Sequence, residues 1–310
     1  MKILVTGGAG FIGSHVCDRY LGAGHEVFAL DNLSSGKKEN LAPSVRLLEL
    51  DIRSPEAARW IEQNTPDVLC HLAAQMDVRR SVEDPRFDAE SNILGMLNLL
   101  EAARKAKVRK VIFSSTGGAI YGEQDVFPAT EAHATRPVSP YGVSKASGEL
   151  YLGYYRAQYG LASVALRYSN VYGPRQNPHG EAGVVAIFAE RLVTQKPCTI
   201  FGEGKQSRDF VFGKDVARAN LLAFEHDYVG AVNIGTGIET DINQLYRHLA
   251  DAAGSRQTAT HAPGKPGEQL RSCIDNRLAK KVLGWEPTVQ LAEGLGQTLD
   301  FFRHKSAGSP

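Results

Sequence analysis

The amino terminus constrains the fold more than any other part of this chain. Lys2 to Thr6 reads K-I-L-V-T, a short β-branched run of the kind found in a strand buried on both faces. Glycines follow at once (Gly7, Gly8, Gly10, Gly13), overlapping the start of an apolar-periodic segment from Phe11 to Leu21. Strand, glycine turn and helix in that order open a βαβ unit. The rhythm repeats: apolar runs at Glu26 to Asp31, Val45 to Leu50, Asp67 to Leu72 and Lys110 to Ser114 each end in small or polar residues. Helix-like stretches at Pro55 to Gln63 and Phe87 to Lys107 lie among them, Tyr141 to Tyr159 predicts a further helix, and Ala162 to Tyr168 a further strand. Alternation of this kind predicts an α/β fold, a doubly wound parallel sheet with helices on both faces.

After Tyr168 the rhythm weakens. Tyr172 to Gly183 is dense in Pro and Gly, and later elements are shorter, which predicts a smaller α/β domain of interleaved pieces. Ala231 to Ile234 is expected to rejoin the main sheet. The expected division is residues 1–171 plus 214–238 for the large domain and 172–213 plus 239–310 for the small one. At 310 residues and 43% hydrophobic, the chain has the apolar material for such a core.

Charge narrows the function. Lys and Arg total 35 against 34 Asp and Glu, which argues against a dedicated binder of nucleic acid or of an anionic membrane. No segment reaches the roughly 18–20 apolar residues of a membrane span. The early glycines also break any export-type apolar core, so no signal peptide is expected. Cys17, Cys70, Cys198 and Cys273 are far apart with no C-x-x-C pair, which fits reduced thiols in a cytoplasmic protein. The nine histidines show no metal-ligand spacing, so no metal site is expected.

The first turn carries a binding signal. Gly7, Gly10 and Gly13 form G-x-x-G-x-x-G between strand and helix, where a phosphate can approach backbone N–H groups at the positive end of the helix. Asp31 ends the second strand, where a carboxylate can accept both ribose hydroxyls of an adenosine and would repel a 2′-phosphate. This favours NAD over NADP; Asp31 is equally a turn-former before Asn32. Asp51 and Ile52 are expected to close the third strand, and Leu72, Ala73 and Ala74 the fourth, all at the sheet edge where open α/β sheets bind ligands.

The reactive chemistry is predicted at Tyr141-Gly142-Val143-Ser144-Lys145. Four residues apart on a helix, the phenol and the ammonium share one face. A free tyrosine titrates near pKa ~10, and an adjacent positive charge stabilises the phenolate. Lys145, together with a positive nicotinamide ring, is expected to lower the Tyr141 pKa, and its ammonium to hold the cofactor ribose. Such a pair elsewhere can be two surface residues. Here it opens a helix after S-P and follows a strand ending in Ser114-Ser115-Thr116, whose hydroxyls can converge with the phenol on one substrate oxygen.

Together V-T-G-G-A-G-F-I-G, S-S-T-G-G-A-I-Y-G, S-P-Y-G-V-S-K and R-Y-S-N-V-Y-G-P resemble the extended short-chain dehydrogenase/reductase family, in particular its NAD-dependent nucleotide-sugar epimerases and dehydratases. The resemblance runs from Lys2 to Phe302. It implies a Rossmann-type large domain, a nucleotide-sugar domain, and a homodimer paired through Phe87 to Lys107 and Tyr141 to Tyr159. It implies an isomerase that inverts C4 of a UDP-hexose through a 4-keto sugar, with Thr116, Tyr141 and Lys145 catalytic. A UDP-glucuronate 4-epimerase and a nucleotide-sugar 4,6-dehydratase are the alternatives. The dehydratase would need an Asp-Glu pair after the strand-end threonine, where Gly117 and Gly118 stand.

The resemblance also implies NAD contacts from Gly7, Gly10, Phe11, Ile12, Gly13, Asp31, Asn32, Ser34, Gly36, Asp51, Ile52, Leu72, Ala73, Ala74, Gln75, Asn92, Ser114, Tyr141, Lys145, Tyr168 and Val171. For the nucleotide sugar it implies Thr116, Asn170, Val184, Val185, Thr199, Phe201, Arg208, Lys265, Glu268 and Ser272. Arg208 is expected on the diphosphate, although beside Asp209 it could form an ion pair; Asn92 could otherwise be a polar helix face, and Phe201 a core residue. Lys265 departs from the arginine often found there, and Met76 from a lysine that some epimerases carry near it. Ser272 is small where some epimerases carry tyrosine, which implies room for an N-acetyl group at the sugar 2-position.

Overall fold

A computed structural model describes residues 1–179, 183–264 and 269–307. Lys265 and Glu268 lie outside the described residues. The first half alternates as the apolar runs require: β1 (Lys2–Thr6), α1 (Phe11–Gly22), β2 (Glu26–Asp31), β3 (Arg46–Glu49), α2 (Pro55–Asn64), β4 (Val68–His71), α3 (Val78–Glu83), α4 (Pro85–Ala89), α5 (Gly95–Lys105), β5 (Lys110–Thr116), α6 (Pro140–Tyr159) and β6 (Ala162–Tyr168). The second half continues with β7 (Asn170–Tyr172), α7 (Val184–Val193), β8 (Thr199–Phe201), β9 (Ser207–Phe212), α8 (Gly213–Glu225), β10 (Gly230–Ile234), β11 (Glu239–Asp241), α9 (Ile242–Ala253), β12 (Thr260–Ala262), β13 (Arg271–Ser272), α10 (Arg277–Leu283) and α11 (Leu291–Ala307).

Seven parallel strands form the main sheet in the order β10-β6-β5-β4-β1-β2-β3. The order reverses between β1 and β4, so a crevice opens beyond their carboxyl ends. Alternation along β1 sends Ile3 and Val5 to one face, against α1 and α8, and Leu4 to the other, against α2, α5 and α6. Both faces are therefore apolar, and trimming one such side chain, as in Leu4→Ala, costs about 2–5 kcal/mol. A second core, with Phe188, Phe210, Leu245 and Leu299, joins α7, α9 and α11 to a smaller sheet of β7, β9, β11 and β13.

Three local expectations need correction. Asp51 and Ile52 lie beyond the end of β3, and Leu72, Ala73 and Ala74 beyond the end of β4, so they line the loops above the sheet and not the strands themselves. The helix expected from Phe87 to Lys107 is continuous but starts at Pro85, after the Asp84 cap, ends at Lys105, and carries a π-helical turn at Glu90–Leu94 between α4 and α5. Among the described residues no helix is long and apolar enough to cross a membrane. All four cysteines are free and buried.

Candidate active site

The glycine turn closes against the end of β4. Gly7 has φ +67, and a Cβ there would sit 2.7 Å from Ala73 N; a Cβ on Gly13 would sit 2.0 Å from Gly7 O. Only glycine fits either place. Gly10 caps α1 with no side-chain hydrogen bond, and the first turn (Phe11, Ile12, Gly13) carries no acidic residue. The leading N–H groups of α1 are left for an anion. At the end of β2, Asp31 accepts from Ala9 N at 3.0 Å and from Leu33 N at 2.8 Å. Burial pushes its carboxyl above the ordinary value while the N–H groups of Leu33, Ala9 and Gly10 pull it back. Gly36 packs so closely on Asp31 that a Cβ would meet both carboxylate oxygens at 2.8 Å.

Asn32 and Asp51 tie neighbouring loops together by Asn32 Nδ2 to Asp51 Oδ2 at 3.1 Å, and Ser34 N donates to Asn32 Oδ1. Hydrogen bonds from Arg53 hold the Asp51 carboxyl well below the usual carboxylate range. Ile52 is buried against Gly95 of α5. Leu72, Ala73 and Ala74 form a half-buried wall above β4. A surface with bare helix N–H groups, glycines for close approach and a carboxylate at the second strand's end fits a dinucleotide with free ribose hydroxyls, as NAD has.

The catalytic helix rests on the turn after β5. Thr116 Oγ1 accepts from Ala119 N at 3.2 Å, which leaves its own proton free to donate. A Cβ on Gly142 would meet Ala119 O at 2.9 Å, so the start of α6 abuts that turn. Tyr141 is half-buried, and Lys145 Nζ lies 5.7 Å from its ring centre. Burial lowers the Lys145 pKa to about 8, against the pull of Asp88 and Glu149. From the protein's own groups, burial pushes the Tyr141 phenol above the ordinary value and Asp88 adds to that, while the expected lowering includes the charge of a nicotinamide ring. Lys145 alone does not make Tyr141 a base.

Other residues take unexpected places. Asn92 is not on an exposed polar helix face: it is buried, and its amide clasps the main chain of Gln75, accepting from N at 2.8 Å and donating to O at 2.9 Å. The Tyr168 ring is core, with its hydroxyl accepting from Asn220 at 2.9 Å, so only its main chain, which takes Gly117 N–H at 2.7 Å, borders the site. Val185 is likewise core, beside a half-buried Val184 at the start of α7. In both, the side chain is spent on packing, which a motif does not reveal.

Asn170 Oδ1 and Thr116 Oγ1 face the same point, 3.9 Å and 3.8 Å from where a Cβ on Gly118 would be. Val171 follows in β7, its carbonyl accepting from Gln176. Phe201 is 39% exposed at the end of β8, not core, and Thr199 opens that strand beside Thr260. Arg208 of β9 pairs in register with the buried Ser272 of β13. The Asp209 carboxylate turns to Thr236, Gly237 and Ile274 instead. Met76 is exposed. Sequence reasoning missed Asp88, fully buried and bonded to Ser144 at 2.6 Å; its one signal was its place four residues before Asn92 on a helix.

A dinucleotide-binding α/β fold with a tyrosine–lysine pair at its sheet edge defines a class, and the chain belongs to the NAD dependent epimerase/dehydratase family, which it matches over residues 3–235. Among its relatives is the UDP-glucose 4-epimerase of Mycolicibacterium smegmatis, 46% identical across 99% of this chain and 100% of that one. The structure of Thermotoga maritima UDP-glucose 4-epimerase with UDP-glucose superposes with a TM-score of 0.97 at 49% identity, covering 99% of this chain and 100% of the other. That of the Thermus thermophilus enzyme with NAD gives 0.91 at 46% identity, covering 98% and 99%.

Proposed function

We propose that this chain is an NAD-dependent isomerase that inverts C4 of a UDP-hexose, interconverting UDP-glucose and UDP-galactose through a transient 4-keto sugar. The observation that carries this reading is Thr116, with a hydroxyl proton free to donate, at the strand end on which the helix of Tyr141 and Lys145 rests. The full-length likeness to UDP-glucose 4-epimerases supports it. When bound, NAD supplies a hydride acceptor that is regenerated within one turnover and a positive ring charge. Tyr141 takes the proton from the sugar 4-hydroxyl at its phenolic oxygen and returns it. Thr116 donates to the same oxygen and holds it in place. Lys145 holds the cofactor ribose. Arg208 meets the diphosphate, with Phe201 and Thr199 beside the uracil and Asn170 near the hexose.

Gly117 and Gly118 supply no acid for loss of a C6 hydroxyl, which tells against a dehydratase. The buried, small Ser272 favours activity on UDP-N-acetylhexosamines as well. We divide the chain into a cofactor domain, residues 1–171 plus 214–238, and a sugar-nucleotide domain, 172–213 plus 239–310. The enzyme acts in the cytoplasm as a homodimer, pairing through α5 and α6, where Leu150, Tyr151 and Tyr154 are exposed.

The test is to incubate the protein separately with UDP-glucose, UDP-N-acetylglucosamine and UDP-glucuronate, without reductant, and to identify the sugars by NMR. UDP-galactose is expected from UDP-glucose. A 4-keto-6-deoxy product, or turnover of UDP-glucuronate alone, would overturn the reading.

A further inference from the structure

Asp88 of α4 is fully buried, yet it joins two walls of the site. Its Oδ2 accepts from Ser144 Oγ at 2.6 Å, and its Oδ1 from Asn92 Nδ2 at 3.0 Å and Gln75 Nε2 at 3.2 Å. Backbone groups fix both amides. Asn92 Oδ1 takes the Gln75 N–H and Gln75 Oε1 takes the Asp77 N–H, so each turns its NH2 towards Asp88. Three donors around one carboxylate are what a buried anion needs.

We propose that Asp88 is a positioning residue for Tyr141 and Lys145: it ties their helix to the loop after β4, and its fixed negative charge is the internal counter-charge to the Lys145 ammonium. The proposal rests on the epimerase reading above. Ser144 immediately precedes Lys145, so its bond to Asp88 fixes the rotation of α6 about its axis. Gln75 lies two residues beyond Ala73, which touches the glycine turn. One side chain thereby sets the distance between the phenol and the cofactor wall.

The charge bears on both members of the pair. Among the described residues, the other ionisable groups around them are Glu149, one turn along α6 and ion-paired to Arg167 of β6, and His71 of β4, kept neutral by burial. On the outer side of α4, Arg80 and Arg53 stack on Phe87. A negative charge disfavours phenolate and favours ammonium, so its removal lowers both titrations.

Asp88→Asn separates tie from charge. The new amide oxygen can keep the two bonds from Asn92 and Gln75, and the new NH2 can donate to Ser144 Oγ. In Asp88→Asn both limbs of the kcat–pH profile move to lower pH by about half a unit or more. The tyrosinate absorbance titration of Tyr141, isolated by subtracting Asp88→Asn/Tyr141→Phe, moves the same way. Asp88→Ala also loses the tie, and kcat falls about tenfold or more at every pH. Unmoved limbs and an unmoved tyrosinate titration in Asp88→Asn would overturn the counter-charge. A wild-type kcat in Asp88→Ala would overturn the positioning. If the wild-type protein epimerised no UDP-hexose, the functional reading would fail separately, and the tyrosinate titration would still decide the role of Asp88.

Discussion

The Lys145 ammonium donates to the main-chain oxygen of Ser114 at 2.7 Å, which fastens the helix carrying the phenol to the strand carrying Thr116. The same ammonium lies 4.8 Å from the centre of the Phe113 ring. A lysine held this way cannot swing to solvent to recover its hydration, and its pKa of about 8 expresses that cost. It keeps two further N–H donors for whatever binds above the sheet.

The glycine turn gives a paired prediction within one helix. An added Cβ at Gly13 meets backbone at 2.0 Å, whereas at Gly22, also in α1, it meets nothing within 4 Å. Gly13→Ala is expected to lose about 1–3 kcal/mol or more and to be purified without NAD. Gly22→Ala is expected to gain up to about 1 kcal/mol and to retain it. Urea unfolding and the cofactor absorbance of the purified proteins check both; equal behaviour would contradict the close approach.

His71 carries a stability signal in acid. Thr6 Oγ1 accepts from Ala73 N and shares a hydrogen bond of 2.8 Å with His71 Nδ1, whose buried ring is neutral. Burial, helped by Lys145, lowers its pKa from 6.5 to about 3. Between those values the unfolded chain binds the extra proton. Stability from this group is therefore complete above pH ~6.5 and falls as pH drops towards 3, by up to about 1.4 kcal/mol per pH unit. His71→Asn, whose amide can still hydrogen-bond to Thr6 as donor or acceptor, should flatten the dependence of the urea midpoint on pH across that window. Parallel slopes for the two proteins would refute this.

Ser272 tests the substrate range. It is 3% exposed and lies opposite Arg208 in the β13–β9 register. Ser272→Tyr is expected to abolish turnover of UDP-N-acetylglucosamine while UDP-glucose is still turned over. Equal turnover of the N-acetyl sugar by both proteins would remove Ser272 as the determinant.

The sheet was legible because strands buried on both faces, such as Ile3-Leu4-Val5, must be apolar throughout, and because the glycine turn admits few uses. The placement of Asp31, Thr116, Tyr141 and Lys145 at the sheet edge followed from that frame. What did not follow was the direction of side chains set by tertiary contacts. Asn92 faces Gln75 because of a π-helical turn that local propensity does not encode, and Tyr168 faces inward because Asn220, far along the chain, meets its hydroxyl. The balance of charge around Tyr141 was also hidden. It depends on burial and on Asp88, and neither is visible in Y-x-x-x-K.

The most direct measurement is sugar interconversion by Tyr141→Phe. The substitution removes one oxygen and keeps the ring that packs beside Lys145. UDP-glucose conversion to UDP-galactose, followed by NMR, is expected to fall by about 10²–10⁴-fold while the purified protein retains NAD. Conversion at the wild-type rate with cofactor bound would contradict it, because another group would then be carrying the proton.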